Sequence, residues 1–491
     1  MTSAGALALL GLALLLGAGV LATRLASRIG IPALLLFLGL GILAGPEGLG
    51  WVTLPKAGSI QVLAAAALAF ILFEGGLRTQ WTEFRQVAWP SLSLATVGVF
   101  ITALLTALLA RWLIDIPWLV ALLLGAILAS TDAAAIFAVV GSLVLRRRVQ
   151  LLVEAESGLN DPMAILLTVF LLTLYQGQAS SYGHAFFFFG WQLVGGLLVG
   201  LGAGFVMVKV LRRMRLDGSG LYPVLTMAGV LGTYGAADLL KASGFLAVYV
   251  MGVYLGGQRL PYRGTIVRFQ EALAWMSQIV LFTMLGLLVS PSHLATVSGD
   301  ALLIALGQML ILRPIAVVLS LLGMGYTSRE MIWIGWAGLK GAVPIVLATY
   351  PLVAGLPHAV FIFDVVFLVV IFSALLQGTT LPYLGKALGL VTGGKPPPTV
   401  SLEFVSLEEG ELDLAEVTLP EHSPVVGKRL AECAIPETVA VSAIVRQGKV
   451  VPPRGGTRLQ AGDHLYLWIP QDQGDEFLQR FYPPSDAGSP P

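Results

Sequence analysis

From its N-terminus to about residue 390, this chain repeats one feature, an apolar run of roughly 20 residues. That is the length a helix needs to cross the ~30 Å hydrocarbon core of a bilayer. Only 12% of the residues are charged and 56% are hydrophobic, whereas soluble domains carry about 25% charged residues. The chain is therefore a polytopic membrane protein. Thirteen spans are expected, near residues 4–22, 31–45, 57–77, 88–110, 117–141, 152–175, 185–208, 219–240, 243–257, 271–289, 301–324, 331–353 and 359–385. Arg24 and Arg28 follow the first run and no basic region precedes it, so it reads as a span and not as a cleaved signal.

The loop charges test this count. Basic residues mark cytoplasmic loops. Sixteen lie in alternate loops: Arg24, Arg28, Arg78, Arg85, Arg146 to Arg148, Lys209, Arg212, Arg213, Arg215, Arg259, Arg263, Arg268, Arg329 and Lys386. The other loops hold three, Lys56, Arg111 and Lys241. With an odd number of spans, this alternation puts the N-terminus outside and the C-terminus inside a prokaryotic plasma (inner) membrane.

Two spans are interrupted in their middle. Span five contains Ala129-Ser130-Thr131-Asp132-Ala133, and span twelve contains Gly338-Leu339-Lys340-Gly341-Ala342-Val343-Pro344. Each is the fifth span of its half if the thirteen divide as six, one and six. Interrupted helices at matching positions of two halves point to an inverted-repeat transporter with its site at the midplane. The expected fold is thus an all-α polytopic membrane protein of about thirteen transmembrane helices, followed by a small α+β cytoplasmic domain. The boundaries are a membrane part over 1–391, a Gly/Pro linker over 392–400, a soluble domain over 401–483 and a disordered tail over 484–491. Within the soluble domain, Glu411–Leu419 and His464–Ile469 read as strands, Val439–Arg446 and Val450–Val451 as a hairpin, and Gly427–Glu432 and Asp475–Phe481 as short helices.

Chemistry concentrates in Glu154-Ala155-Glu156-Ser157-Gly158-Leu159-Asn160-Asp161-Pro162, which runs straight into span six. A charge at the bilayer centre costs on the order of 2.5–3.5 kcal/mol on insertion scales, so carboxylates there are candidate functional groups. On a helix Ser157 and Asp161 share a face and Asn160 lies beside them. Pro162 has no N–H, which frees the carbonyl of Gly158. A carbonyl, a hydroxyl, an amide and a carboxylate together are hard oxygen ligands for a monovalent cation at Asp161. Glu154 suits a helix N-terminus, where acids favour the dipole. Glu156 reads as a buried ion-pair partner. In span five, Thr131 is expected to face the ion, and Asp132 to cap the positive end of the second half-helix. Lys340, deep in span twelve, needs an anion; Glu156 or Asp132 must supply it, and a Glu156–Lys340 structural pair is the expectation. Arg313, inside span eleven, reads as structurally paired. Glu74 has two readings, an ion pair with Arg78 four residues on, or a cation- and proton-binding group at the inner entrance. Asp238, Glu271, Asp300 and Asp364 read as interfacial.

At these residues the chain resembles the NhaP-type cation/proton antiporters. Ser130-Thr131-Asp132, Glu156-Ser157-Gly158-Leu159-Asn160-Asp161-Pro162, Leu72-Phe73-Glu74-Gly75-Gly76-Leu77 and the Gly338–Pro344 segment carry the likeness. The resemblance implies thirteen spans, a homodimer, crossed interrupted helices five and twelve, Asp161 as cation and proton carrier, and Asn160 bracing Thr131. Lys340 departs from the family's usual arginine, replacing a bidentate fork by a point charge. The Asn160–Asp161 pair goes with electroneutral one-for-one exchange. The soluble domain resembles a TrkA C-terminal (RCK-C) domain through Ser423–Leu430, Val451–Arg454 and Ala461–Leu467. Such domains are ligand-sensing modules common on potassium transport systems. The resemblance therefore implies regulated K+/H+ exchange, with Na+ (or Li+)/H+ exchange as the alternative and a small-molecule or nucleotide ligand on the C-terminal domain.

Other classes fit less well. A net charge of +1 implies no nucleic-acid partner. Cys433 is the single cysteine, and the five histidines are scattered without an HExxH, so neither a metal cofactor nor an enzymatic reaction is expected. No phosphate-binding glycine loop suggests nucleotide-driven transport. A cation channel would need a carbonyl filter or an acidic ring, and no TVGYG-like run occurs.

Overall fold

The structure is a computed structural model that describes residues 3–29, 31–51, 57–79, 81–140, 144–177, 182–214, 216, 218–258, 260–392, 402–403, 412–419, 423–446 and 449–470. The chain divides into two compact units, Met1–Met207, Met227–Gln258 and Gln270–Gly393 in one, and Val208–Thr226, Arg259–Phe269 and Gly394–Pro491 in the other. Residues 393–400 of the expected linker, Gln447-Gly448 of the expected hairpin, the expected Asp475–Phe481 helix and the expected tail lie outside the described residues.

Among the described residues, thirteen helical passages match the thirteen apolar runs. They are α1 (Ser3–Ile29), α2 (Ala33–Ala44), α3 (Ala57–Arg78), α4 (Trp81–Ser93 and Val99–Ile114), α5 (Trp118–Ile127 and Ala133–Val140), α6 (Arg147–Tyr175), α7 (Tyr182–Arg213), α8 (Leu221–Leu239), α9 (Gly244–Gly256), α10 (Arg263–Leu287), α11 (Pro291–Gly307 and Arg313–Leu321), α12 (Ser328–Trp336 and Ala342–Val353) and α13 (Ala359–Ala387). Six of the described helices are long and apolar enough to cross a membrane by themselves. Several helices overrun the apolar run that signals them: α6 begins at Arg147 and not near 152, and α10 begins at Arg263 and not near 271. Hydropathy marks only the lipid-depth part of a helix, and polar first turns continue beyond it.

The two halves share irregularities at matching positions. The fourth and eleventh helices each carry one wide π turn, Leu94–Gly98 and Gln308–Leu312. In α11 the cause is local: Pro314 has no N–H to offer the Leu310 carbonyl, and the Arg313 N–H bonds back five residues to Gln308. The two helices meet near these turns, where Ser93 Oγ donates to the Ser320 carbonyl at 2.7 Å. The fifth and twelfth helices are each broken outright, over 128–132 and 337–341.

Beyond α13, Gly389 turns the chain at φ +69°. Strand β2 (Val391–Thr392) then pairs antiparallel with β1 (Val144–Leu145), just before α6. Leu145 and Leu390 are buried there in a cluster with Val149, Leu152 and Trp333.

The sheet of the second unit holds β3 (Leu402–Glu403), β4 (Leu412–Thr418), β5 (Ala440–Arg446), β6 (Lys449–Val451) and β7 (His464–Pro470) in the order β3-β4-β7-β5-β6, every described pair antiparallel. Leu465, Leu467 and Ile469 alternate into its core with Val417 and Ile444, as a half-buried strand requires. The expected helix over Gly427–Glu432 is a single 3-10 turn at Leu430–Glu432. Its first residues instead form a bridge, with Arg429 opposite Arg458, because the chain there bonds to the returning segment at Thr457 and Leu459.

Candidate cation site

The breaks in α5 and α12 expose four helix ends inside the protein, and each end needs compensation. The two carboxyl-terminal ends present unpaired carbonyls. Lys340 Nζ donates to the carbonyls of Leu128 (2.6 Å) and Ser130 (3.0 Å). Gln308 Nε2, at the π turn of α11, adds a bond to Leu128 at 2.9 Å. The end of the first half of α12 is closed by Gln377 Nε2, which donates to the Trp336 carbonyl at 2.9 Å. Ser373 Oγ accepts the Lys340 N–H at 3.1 Å.

The amino-terminal ends are served by Asp132. Its Oδ1 accepts the Ala135 N–H at 3.1 Å, and its own N–H donates to the Leu339 carbonyl at 2.8 Å. A Cβ on Gly341 would overlap the Asp132 carboxylate, so that carboxylate also sits at the start of the second half of α12. Glycine at 341 is what permits the crossing. One acid and one base thus face the two kinds of helix end.

Helix α6 grips the break in α5 from the side. Ser157 Oγ donates to the Thr131 carbonyl and accepts the Ala133 N–H, both at 2.9 Å. Asn160 Nδ2 donates to Thr131 Oγ1 at 2.6 Å, and its Oδ1 receives the Thr131 N–H at 3.4 Å. Asn160 is fully buried, and Thr131 and Ser157 nearly so. The next residue, Asp161, lies at the midpoint of the 29-residue helix. It is half-buried, and its Oδ1 is enclosed with no hydrogen-bond partner among the described residues. The charges acting on it are Asp132 and Lys340. An enclosed carboxylate oxygen without a partner is costly unless a proton or a cation satisfies it. The chain around it is rich in oxygen donors: the Thr131 carbonyl and hydroxyl, the Ser157 hydroxyl, and the Gly158 carbonyl that Pro162 leaves without its helical N–H.

The expected Glu156–Lys340 pair does not form. Glu156 is paired with Arg313 of α11, with both side chains almost fully buried. Lys340 bonds to carbonyls instead. The physical reason is shape. A planar guanidinium matches a carboxylate, while a compact ammonium suits converging carbonyl oxygens. Gly338 makes the room, since a Cβ there would come within 3.1 Å of Arg313 Nε. Glu74 is bound by Arg78, which also reaches Glu271 of α10 at 3.1 Å. Glu154 is exposed and accepts from Gln150 Nε2 at 3.0 Å. It stands in the second turn, not the first, because α6 starts earlier than hydropathy indicates. Asp364, read as interfacial, is only 4% exposed.

Three contributors escaped the sequence reading: Gln308, Ser373 and Gln377. Gln308 had a signal in retrospect, because it stands five residues before Arg313 and six before Pro314, the spacing of a proline-relieving π turn. Ser373 and Gln377 are one helical turn apart in a very apolar run, a pattern compatible with any buried face.

Crossed, broken helices around one unsatisfied carboxylate define a class of ion-coupled membrane transporter. The chain belongs to the sodium/hydrogen exchanger family, whose transmembrane profile matches residues 11–387, and a TrkA-C domain matches residues 414–482. The K(+)/H(+) antiporter NhaP2 of Shewanella baltica is 38% identical over 473 residues, covering 96% of this chain and 82% of the relative. The K(+)/H(+) antiporter NhaP of Alkalimonas amylolytica is 38% identical over 434 residues, 88% of this chain and 75% of the relative. The solved structure of the sodium proton antiporter MjNhaP1 from Methanocaldococcus jannaschii superposes with a TM-score of 0.69 at 27% identity, covering 78% of this chain and 98% of that one. The protein is thus a multi-pass membrane transporter and not an enzyme.

Proposed function

We propose that this protein exchanges potassium for protons, with Asp161 binding the cation and the proton in alternation. The observation that carries the reading is the enclosed, unpartnered Oδ1 of Asp161, midway along α6 beside the crossed breaks. One carboxylate cannot hold a proton and a metal ion together, so loading one releases the other. Thr131, Ser157 and the Gly158 carbonyl supply further oxygens to a dehydrated monovalent cation, as carbonyls do in other cation sites. Asn160 holds Thr131 in place. Asp132, Lys340 and Gln377 keep the four helix ends compensated while the site changes the side it faces. Glu74, tied to Arg78, is a cation-attracting group at the inner entrance.

Potassium is favoured over sodium by the names of the relatives at 38% identity and by the TrkA-C domain. Sodium is the second reading, because the Na(+)/H(+) antiporter 1 of Methanocaldococcus jannaschii is 29% identical over 362 residues. With the neutral Asn160 beside Asp161, exchange is one for one and electroneutral. The active form is a homodimer in a bacterial inner membrane, N-terminus outside. The C-terminal domain, residues 401–483 behind a 392–400 linker, lies in the cytoplasm and regulates transport through a small-molecule or nucleotide ligand.

Proteoliposome exchange tests this directly. An imposed potassium gradient drives proton movement, sodium and lithium drive less, and clamping the membrane potential leaves the rate unchanged. Removing the residues after Lys395 changes the rate without abolishing exchange. Proton movement indifferent to every cation gradient would overturn the reading.

A further inference from the structure

The chain leaves the membrane part through a joint that also holds two helices of the site. Strand β2 is the last described element before Leu402. It pairs with β1 in a register that sets Leu145 opposite Val391 and Val144 opposite Thr392. A two-stranded pairing this short is marginal in water by itself. Here burial supports it, with Leu145 4% and Leu390 1% exposed, and the Arg146 N–H donates to the Leu390 carbonyl at 3.1 Å. Helix α13 packs onto the same place. A Cβ on Gly385 would come within 3.5 Å of Val391 Cγ2 and 3.1 Å of Trp333 Nε1 of α12.

Strand β1 runs almost directly into α6. Arg146, the residue between them, reaches Glu330 of α12 at 3.6 Å, and Glu330 closes the start of α12 in a capping box with Thr327. Two residues on, the Arg148 guanidinium donates to the Met324 and Gly325 carbonyls at 2.9 and 3.0 Å and lies 4.0 Å over the Tyr326 ring. One joint thus fixes the start of α6, the start of α12 and the strand that leads on to the C-terminal domain. Both helices build the site. Ser157, which grips the break in α5, is ten residues past Arg147 on one continuous helix, about 15 Å away. The break in α12 follows directly on its first half, Ser328–Trp336. A rigid helix carries a displacement of its end over such a length, and a short ladder that is either paired or open supplies the two arrangements that coupling needs.

We propose that the β1–β2 ladder is the point through which the C-terminal domain acts on exchange. The domain pulls on Thr392 through the chain that joins them, the ladder opens, and the base of α6 loosens against α12. This shifts the balance between the two facings of Asp161. The inference rests on the reading above that the C-terminal domain regulates transport, and it names where that regulation enters.

The test uses full-length protein in proteoliposomes and two variants that remove the pull in different ways. Leu145→Cys with Val391→Cys, in a Cys433→Ser background, sets two facing cysteines within disulfide reach. Oxidation locks the ladder and changes the exchange rate, and reduction reverses the change. Insertion of about ten Gly/Ser residues between Thr392 and Gly393 adds ~17 Å of slack and leaves the ladder untouched. A slack chain transmits no pull, so this variant departs from the wild-type rate in the same direction as the locked one. A rate that either the lock or the slack leaves unchanged, or changes of opposite sign, would overturn the role of the ladder. Removal of the residues after Lys395 separates this failure from that of the regulatory reading. A changed rate there, with the locked and slack proteins unaffected, keeps regulation and removes the ladder; an unchanged rate removes regulation and the ladder with it.

Discussion

Glu156 and Asp161 are carboxylates five residues apart on one helix, and the structure treats them in opposite ways. Glu156 is almost completely buried and is closed by the Arg313 guanidinium. Asp161 keeps an enclosed oxygen that nothing described satisfies. The first charge is held and ties α6 to α11, and in the proposed exchange it takes no part. The second is left available, so a mobile ion can complete it. Burial alone does not mark a working group in a membrane; burial without a partner does.

The sharpest way to break this contrast is Asp161→Asn. Coupled exchange falls to the background of empty liposomes, and the melting temperature in detergent stays near or above the wild-type value. The amide removes a costly buried charge, and it can neither take up a proton nor neutralise a cation. Residual exchange above a few per cent would move the working group elsewhere, with Asp132 the next candidate.

Glu156 answers differently. Glu156→Gln or Arg313→Met leaves one buried charge uncompensated and lowers stability by about 3–5 kcal/mol. Replacing both residues, Glu156→Met with Arg313→Met, recovers most of that loss, since a buried pair is often no better than apolar side chains of like volume. Thermal unfolding of the three variants reads this out. A double variant as unstable as either single one would show that the pair supplies more than mutual compensation.

Lys340 should rank below that pair. Lys340→Met takes the donors from the Leu128 and Ser130 carbonyls, at about 1–3 kcal/mol for orphaned buried acceptors, while Gln308 still serves Leu128. Lys340→Arg restores a cation and should recover part of the loss. A cost matching that of Arg313→Met would mean that Lys340 compensates Glu156 after all.

These differences show where the sequence stops being readable. The thirteen passages were legible because a bilayer imposes one length and one polarity, and the alternating loop charges left little freedom in the count. Both breaks were legible as well, because Ser130-Thr131-Asp132 and Gly338 to Gly341 are not residues for the middle of an apolar helix. The partner of Glu156 was not. Helical period says which face of α6 carries Glu156 but not which helix lies across from it, and Arg313 stands 157 residues away. Charge counting chose Lys340 because it shared the right depth. Depth is one coordinate of three, and the shape of the cation decided the rest. Ser373 and Gln377 were illegible for a related reason: a neutral polar side chain in an apolar run is cheap enough to be tolerated anywhere, so it announces nothing.

Ser373 gives the smallest expected effect and the finest test of how the break in α12 is held. Its hydroxyl accepts the Lys340 N–H and donates to Gln377 Oε1 at 2.6 Å. Ser373→Ala strands both groups, which in a dry site would cost about 1–3 kcal/mol. The site is not sealed tight, however. A cavity of about 10 Å³ lies among Gln308, Met309, Gly338, Lys340, Ser373 and Gln377, close to the space one water needs, and removing the hydroxyl enlarges it. A water there restores both bonds, so Ser373→Ala should lower stability by no more than ~1 kcal/mol and leave exchange intact. Ser373→Val fills the same space with a methyl group, excludes the water and should cost more than alanine. If valine is as mild as alanine, the two groups find other partners, and the crossing of the breaks depends on Lys340 and Asp132 alone.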